Sequence, residues 1–168
     1  MTANRPTLDD MTQLVDATTR GLDLADACRT LDGIAARRYD YKLFTVLRLC
    51  RRDSSVERVH SSDPVAYPLL GRKRTPDTVW GKVVLTDGKV LVSRTPDDIR
   101  ENFSDYETIF ALGVGSMINV PILWNGIVRG SANISFAGDG YVKCDPADLQ
   151  MLCGIIAPVV VATSSCEM

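Results

Sequence analysis

The side chains best placed to do chemistry in this chain sit in residues 115–136, GSMINVPILWNGIVRGSANISF. Ser116, Ser131 and Asn133 put hydroxyl and amide groups into otherwise apolar surroundings. Their chemistry is hydrogen bonding. It is directed either to a polar ligand in a mostly apolar pocket or to backbone groups of loops packed over the same surface. Tyr67, Trp80 and Tyr106, from the irregular middle of the chain, would add stacking surface with a hydroxyl or indole N–H as a polar handle. Trp80 leans towards core, because Trp buries heavily. Arg72, Lys73 and Arg74 form the one basic cluster. It reads as a solvated loop, with Lys73 as the candidate anchor for an anion beside a pocket mouth. His60 is the single histidine and precedes Ser61, Ser62 and Asp63. That adjacency is not a triad, which is a spatial arrangement.

Five cysteines stand at 28, 50, 144, 153 and 166, with no C-x-x-C pair, and they argue against a zinc cluster. They read as reduced thiols, with Cys166 exposed in the polar tail SSCEM. The chain has 168 residues, 45% hydrophobic and 24% charged, with a formal net charge of −2. That is enough for one sizeable core and offers no global attraction to nucleic acid or acidic lipid. No apolar run reaches the roughly 20 residues that span a bilayer. The start, MTANRPTLDD, lacks the layout of a signal peptide, so a cytoplasmic location is expected.

The elements that must position these groups follow from caps and periodicity. Thr7 caps a first helix on which Leu8, Met11, Leu14, Val15 and Thr18 recur at helical spacing, and a second starts at about Asp23. Residues 41–50 and 56–61 read as an antiparallel strand pair. A short helix is expected over residues 77–84, a short strand over 89–93, a helix after Thr95, and another from a Ser104–Glu107 capping box to near Gly113. Asp145 and Pro146 start a last helix whose apolar stripe includes Leu149, Leu152, Cys153 and Ile156, and Pro158 should bend it.

Asn125-Gly126 predicts a two-residue type I′ hairpin turn, since both positions need positive φ. Counting back from it pairs Ile122 with Arg129, Val120 with Ser131, Ile118 with Asn133 and Ser116 with Ser135. On that register Ser116, Ser131 and Asn133 share the mixed face. Asn119, Met117 and Ile134 share the apolar one, where Asn119 would tie down neighbouring backbone. A bulge at Pro121 would flip the assignment beyond it.

YPLLGRK at 67–73, TVWGKVV around Trp80, DYETIFALGVGSMINVPI and GIVRGSANISF, in this order of elements, resemble the GAF domain family over nearly the whole chain. The resemblance implies an α+β, profilin- or PAS-like fold forming one domain over residues 1–168. Its first two helices cover about 7–38, its sheet and pocket about 40–137, and its last helix about 145–163. The terminal helices would cover one face of a central antiparallel sheet, and loops with short helices would enclose a small-molecule pocket on the other. Tyr67, Lys73, Trp80, Tyr106, Ser116, Ser131 and Asn133 are the candidate lining. Many members carry His where Tyr106 stands, so a role of that His does not carry over. The leading expectation is a sensory or regulatory module for an unidentified small metabolite. It would be a homodimer through its terminal helices, signalling to a separate partner, with no cofactor assignable. The alternative is a small enzyme acting on a free metabolite. One GAF branch reduces free methionine sulfoxide with pocket cysteines, and residues 57–143 here contain none. A third possibility is an interaction subunit with a vestigial pocket.

Overall fold

The computed structural model describes residues 4–21, 23–69 and 72–163; Cys166 lies outside them. Thr7 caps α1 (Leu8–Thr19) and Asp23 caps α2 (Leu24–Arg38), each by accepting backbone N–H groups of the first turn. The two helices are tied at Asp10, which is 4% exposed. Arg37 donates to its Oδ1 at 3.0 Å, and Arg38 Nε donates to its Oδ2 at 2.9 Å. Burial alone would raise this carboxyl. Bonds from the Thr7 N–H, Arg37, the Thr7 hydroxyl and Arg38 outweigh it and hold Asp10 at about 2.

The sheet is antiparallel throughout, in the order β3-β2-β1-β6-β5-β4. Its strands are β1 (Leu43–Cys50), β2 (Ser55–Ser61), β3 (Lys73–Arg74), β4 (Leu91–Ser93), β5 (Ser116–Trp124) and β6 (Ile127–Phe136). Three shorter helical pieces lie in the middle: a π-helix over Gly81–Thr86, α3 (Pro96–Asn102) and α4 (Tyr106–Ala111). A 3-10 turn at Gly140–Lys143 leads into α5 (Pro146–Ala162), which is capped by Asp145 and runs through Pro158. Helices α1, α2 and α5 cover one face, where Leu14, Leu31, Ile34, Leu152 and Ile156 meet Ile118, Val120 and Ile134. The stripe expected on α1 is only half buried: Leu14 and Thr18 pack inward, whereas Leu8 is 74% and Val15 44% exposed. The capping box expected at Ser104 is absent. Asp105 occupies the cap position without a side-chain cap bond, because its Oδ2 accepts from the Tyr67 hydroxyl at 3.1 Å.

The expected register of the last hairpin is corrected. The turn forms with positive φ at Asn125 and Gly126, and Leu123 pairs with Val128. Ile122 then pairs with Gly130, leaving Arg129 as an extra residue. The bulge sits on β6, opposite the region where Pro121 had suggested one. A Cβ on Gly130 would lie 2.1 Å from the Leu47 carbonyl oxygen, so glycine lets β6 close onto β1 at the bulge. Beyond it every β5 residue meets a partner one place later than expected: Asn119 with Asn133, Met117 with Ser135, Ser116 with Phe136. Asn119 and Met117 therefore share the face of Asn133, and Ser116 joins Ile118 and Val120 on the helix side.

The Asp10 tether gives a pH signature. Its folded pKa lies below the ordinary 3.8. Its contribution is therefore complete above pH 4 and is lost as pH falls towards 2. Asp10→Asn should cost about 2 kcal/mol at neutral pH. In urea titrations that gap should shrink as both proteins are taken to pH 2.5. A gap unchanged with pH would show that the carboxylate charge carries none of this stability.

Candidate functional site

The face of the sheet opposite the large helices forms the floor of a cavity of about 300 Å³. Leu43, Thr45 and Leu47 of β1, Met117 and Asn119 of β5, and Asn133 and Ser135 of β6 make that floor. These residues share a face because each lies two places from the next along its strand. Across the floor runs a short polar chain. Asn119 Nδ2 donates to Asn133 Oδ1 at 2.9 Å, and Asn133 Nδ2 donates to Thr45 Oγ1 at 3.2 Å. The register brings the three side by side, since Asn133 pairs with Asn119 on one flank and with Thr45 on the other. Asn119 Oδ1 is buried and has no partner among the described residues. A buried acceptor left in that state costs about 1–3 kcal/mol.

Tyr67, residues 73–80 and residues 103–114 close the other side. Trp80 is 7% exposed and packs with Leu47, Val84 and Leu85, so it is core and cavity wall together. Its indole N–H also lacks a partner among the described residues. The tight path into the π-helix that follows depends on Gly81, where a Cβ would lie 2.2 Å from the Pro76 carbonyl oxygen. Helical segments of π type are rare and recur at functional sites.

Arg58 and Lys73 supply the positive charge. Arg58 is two residues from Val56 on β2, and Lys73 is the direct partner of Val56 on β3. All three therefore face the cavity, and all three line it. Arg74 also lines the cavity, although alternation turns its side chain away from the face of Lys73. The Arg58 guanidinium lies 4.9 Å above the Tyr67 ring, and its Nη1 donates to the Pro68 carbonyl at 2.9 Å. Burial pulls its pKa down, opposed by Tyr67 and Asp105. Burial, followed by the charge of Asp105, pushes the Tyr67 phenol well above its ordinary value, so Tyr67 remains a neutral donor.

Of the residues singled out from sequence, Tyr67, Lys73, Trp80 and Asn133 line the cavity and three do not. Ser116 is fully buried on the helix-side face, flipped there by the bulge. Ser131 lies on the cavity-side face but outside the cavity wall. Tyr106 packs at a tilt against Phe110 of α4, ring centres 5.9 Å apart, and does not line the cavity, whereas Ile109 of the same helix does. Sequence reading missed Arg58, Asp105, Thr45 and Asn119. A signal existed for Arg58, which alternates in step with Val56 on an inward face. For Asn119, whose side depends on the bulge, the signal was the flip that a bulge near Pro121 would bring.

No cysteine among 28, 50, 144 and 153 lines this cavity. Burial pushes the thiols of Cys28 and Cys144 up to about 12, which removes the thiolate that nucleophilic chemistry needs. His60 is equally remote: its Nε2 contacts Asp32 Oδ2 of α2 at 2.8 Å, on the helix side. Asp32 also accepts from the Tyr41 hydroxyl. A second hollow of about 490 Å³ lies beside the start of α5. Its walls include Asn4 and Arg5, which adjoin the undescribed residues 1–3, and the Arg5–Asp148 ion pair at 2.8 Å spans it.

The polar chain on the floor should behave as one unit. Asn119→Leu and Asn133→Leu should each cost about 2 kcal/mol, because each strands a buried amide or hydroxyl. The double variant should cost at least about 1 kcal/mol less than the sum of the two. Strict additivity in urea titrations would dissolve the unit.

Against solved structures, the chain is similar to the GAF domain of a phosphoenolpyruvate-protein phosphotransferase from Acinetobacter, at TM-score 0.73 and 14% identity, covering 92% of both chains. It is similar to a free methionine-R-sulfoxide reductase from Neisseria meningitidis, solved with its substrate, at TM-score 0.71 and 14% identity, covering 91% of this chain and 87% of that one. It is also similar to the nlh2 GAF domain from A. aeolicus, at TM-score 0.70 and 12% identity, covering 94% and 96%. No protein-family model and no curated protein matches the chain. Identities this low carry the architecture and not the activity: the fold of this chain is the GAF fold.

Proposed function

We propose that this protein is a regulatory module that binds a small molecule between its sheet and the covering segments. The observation that carries this reading is the cavity of about 300 Å³ over the Asn119–Asn133–Thr45 chain. It is mostly apolar, with a few convergent polar groups, which is the usual character of a ligand site. Two of the residues lining it, Asn119 and Trp80, keep a buried polar atom without a partner among the described residues. Sensory domains and reductases both occur among the similar structures. The regulatory reading is favoured because the four described thiols and the histidine stand away from the cavity.

The proposed assembly is a homodimer through the terminal helices, passing its signal to a separate protein. Leu8 and Val15 of α1 and Met151 of α5 are apolar side chains left 74%, 44% and 42% exposed on two helices that pack together.

A thermal-shift screen with small metabolites should find compounds that raise Tm. Met117→Trp, which fills the floor, should abolish the shifts while the protein stays folded. Retained shifts in that variant would move binding elsewhere. Turnover of free methionine sulfoxide should stay at the rate without protein, and robust turnover would make the protein an enzyme instead.

Light scattering should give a dimer mass, and Val15→Glu should give a monomer. A wild-type monomer would remove the dimer.

A further inference from the structure

The charge in the cavity runs against the charge of the chain. The whole protein carries a net −2. The side chains that face the cavity include two cations, Arg58 and Lys73, and one carboxylate, Asp105. Asp105 is already engaged by the Tyr67 hydroxyl at 3.1 Å. Neither cation forms an ion pair with a carboxylate among the described residues. Asp105 lies near enough to favour the charged Arg58 but makes no ion pair with it, and a partly buried guanidinium without a direct carboxylate partner is costly. Arg58 uses Nη1 on the Pro68 carbonyl and keeps Nε without a partner among the described residues. Guanidinium groups bind carboxylates through two parallel N–H donors, and the Nε side of Arg58 still offers such a pair.

Size narrows the choice further. An apolar cavity of about 150 Å³ holds benzene, so one of about 300 Å³ holds about a dozen heavy atoms. A cyclic nucleotide is roughly twice that size, and a tetrapyrrole is larger again. Apart from the neutral amide chain and the engaged Asp105, the walls away from the cations are mainly Leu43, Leu47, Ile109, Leu112, Val114 and Met117. They suit an apolar body and offer no second charge.

We infer that the ligand is a small amphiphilic monoanion, an aryl- or branched-alkyl carboxylate of about a dozen heavy atoms. Its carboxylate pairs with Arg58, and Lys73 lies on the mouth side. Its apolar body lies over Leu43, Leu47 and Met117, beside the Trp80 indole. The assignment rests on the binding reading above and adds the charge, polarity and size of the ligand.

The test uses the full chain and matched probes: 3-phenylpropanoate, phenylacetate and 4-methylpentanoate, each against its primary amide, by isothermal titration calorimetry. At least one acid should bind about tenfold or more tightly than its own amide. Its affinity should fall with added salt, while that of the amide stays level. Arg58→Gln should weaken the acid about tenfold or more and leave the amide unchanged, and Arg58→Lys should restore part of the loss. Lys73, which is exposed on an edge strand, gives a second variant that does not endanger folding. Lys73→Gln should weaken the acid by about threefold. Amides that bind as well as acids, or an acid affinity indifferent to both substitutions, would overturn the monoanion and leave the pocket standing. Binding of neutral probes alone would do the same. If neither acids nor amides bind, and Met117→Trp changes nothing, the binding reading falls with it.

Discussion

Gly130 sits against the Leu47 carbonyl at a distance that no side chain could tolerate, and the residue before it, Arg129, is the extra residue of a β-bulge. This close approach of β6 to β1, with its one extra residue, decides what the cavity is made of. Side chains alternate along a strand, so inserting one residue exchanges the two faces of everything beyond it. With the bulge, Asn119 lies beside Asn133 and Met117 beside Ser135, on the cavity side. Without it, Ile118 and Val120 would face the cavity, and two asparagines would be separated by the thickness of the sheet. The amide chain exists because the β5–β6 pairing carries this one extra residue.

The two faces of the sheet then solve different problems. The helix side is dry and densely apolar, from Leu14 and Ile34 to Leu152 and Ile156. Its thiols at 28 and 153 are fully buried and held protonated by that burial. Its polar tethers, Asp10 with Arg37 and Arg38 and Asp32 with His60, lie between secondary-structure elements and satisfy one another. The cavity side is less complete. Its amides, indole and guanidinium are partly satisfied. Asn119 Oδ1, the Trp80 indole N–H and Arg58 Nε lack partners among the described residues and belong to residues that line one hollow, whereas Ser131 Oγ, and Ser116 Oγ on the helix side, are left over away from it. A folded chain tolerates such groups at a cost of about 1–3 kcal/mol each, and binding sites are where that cost is recovered.

Much of this was legible without coordinates. The caps at Thr7, Asp23, Thr95 and Asp145 announce four helices, and the structure has each of them. The Asn125-Gly126 turn and the two-faced character of the last hairpin were equally plain. At α4 local pattern failed for a physical reason. Ser104 and Glu107 spell a capping box, but Asp105 is the cap and gives its carboxylate to Tyr67, a contact 38 residues away in sequence. At α1 the apolar stripe is real, yet Leu8 and Val15 lie on its solvent side, where the described chain leaves them uncovered.

Residue types and local spacing determined the elements, their order, the resemblance to the GAF fold, and the presence of polar groups in an apolar hairpin. Those properties depend on neighbours within a few residues. Tertiary structure decided which of the polar groups meet. The union of Lys73 and Asn133 with Arg58, Thr45 and Asn119, and the exclusion of Ser116, follow from pairings across β1, β2, β3, β5 and β6, while the segments packed over the sheet bring Tyr67 and Trp80 to the same cavity. Those pairings turn on a single-residue bulge and on the clearance at Gly130. The bulge lies within the β5–β6 hairpin itself, but the clearance at Gly130 comes from contact with β1, a strand more than 80 residues away in the chain, which no local pattern of residues can encode.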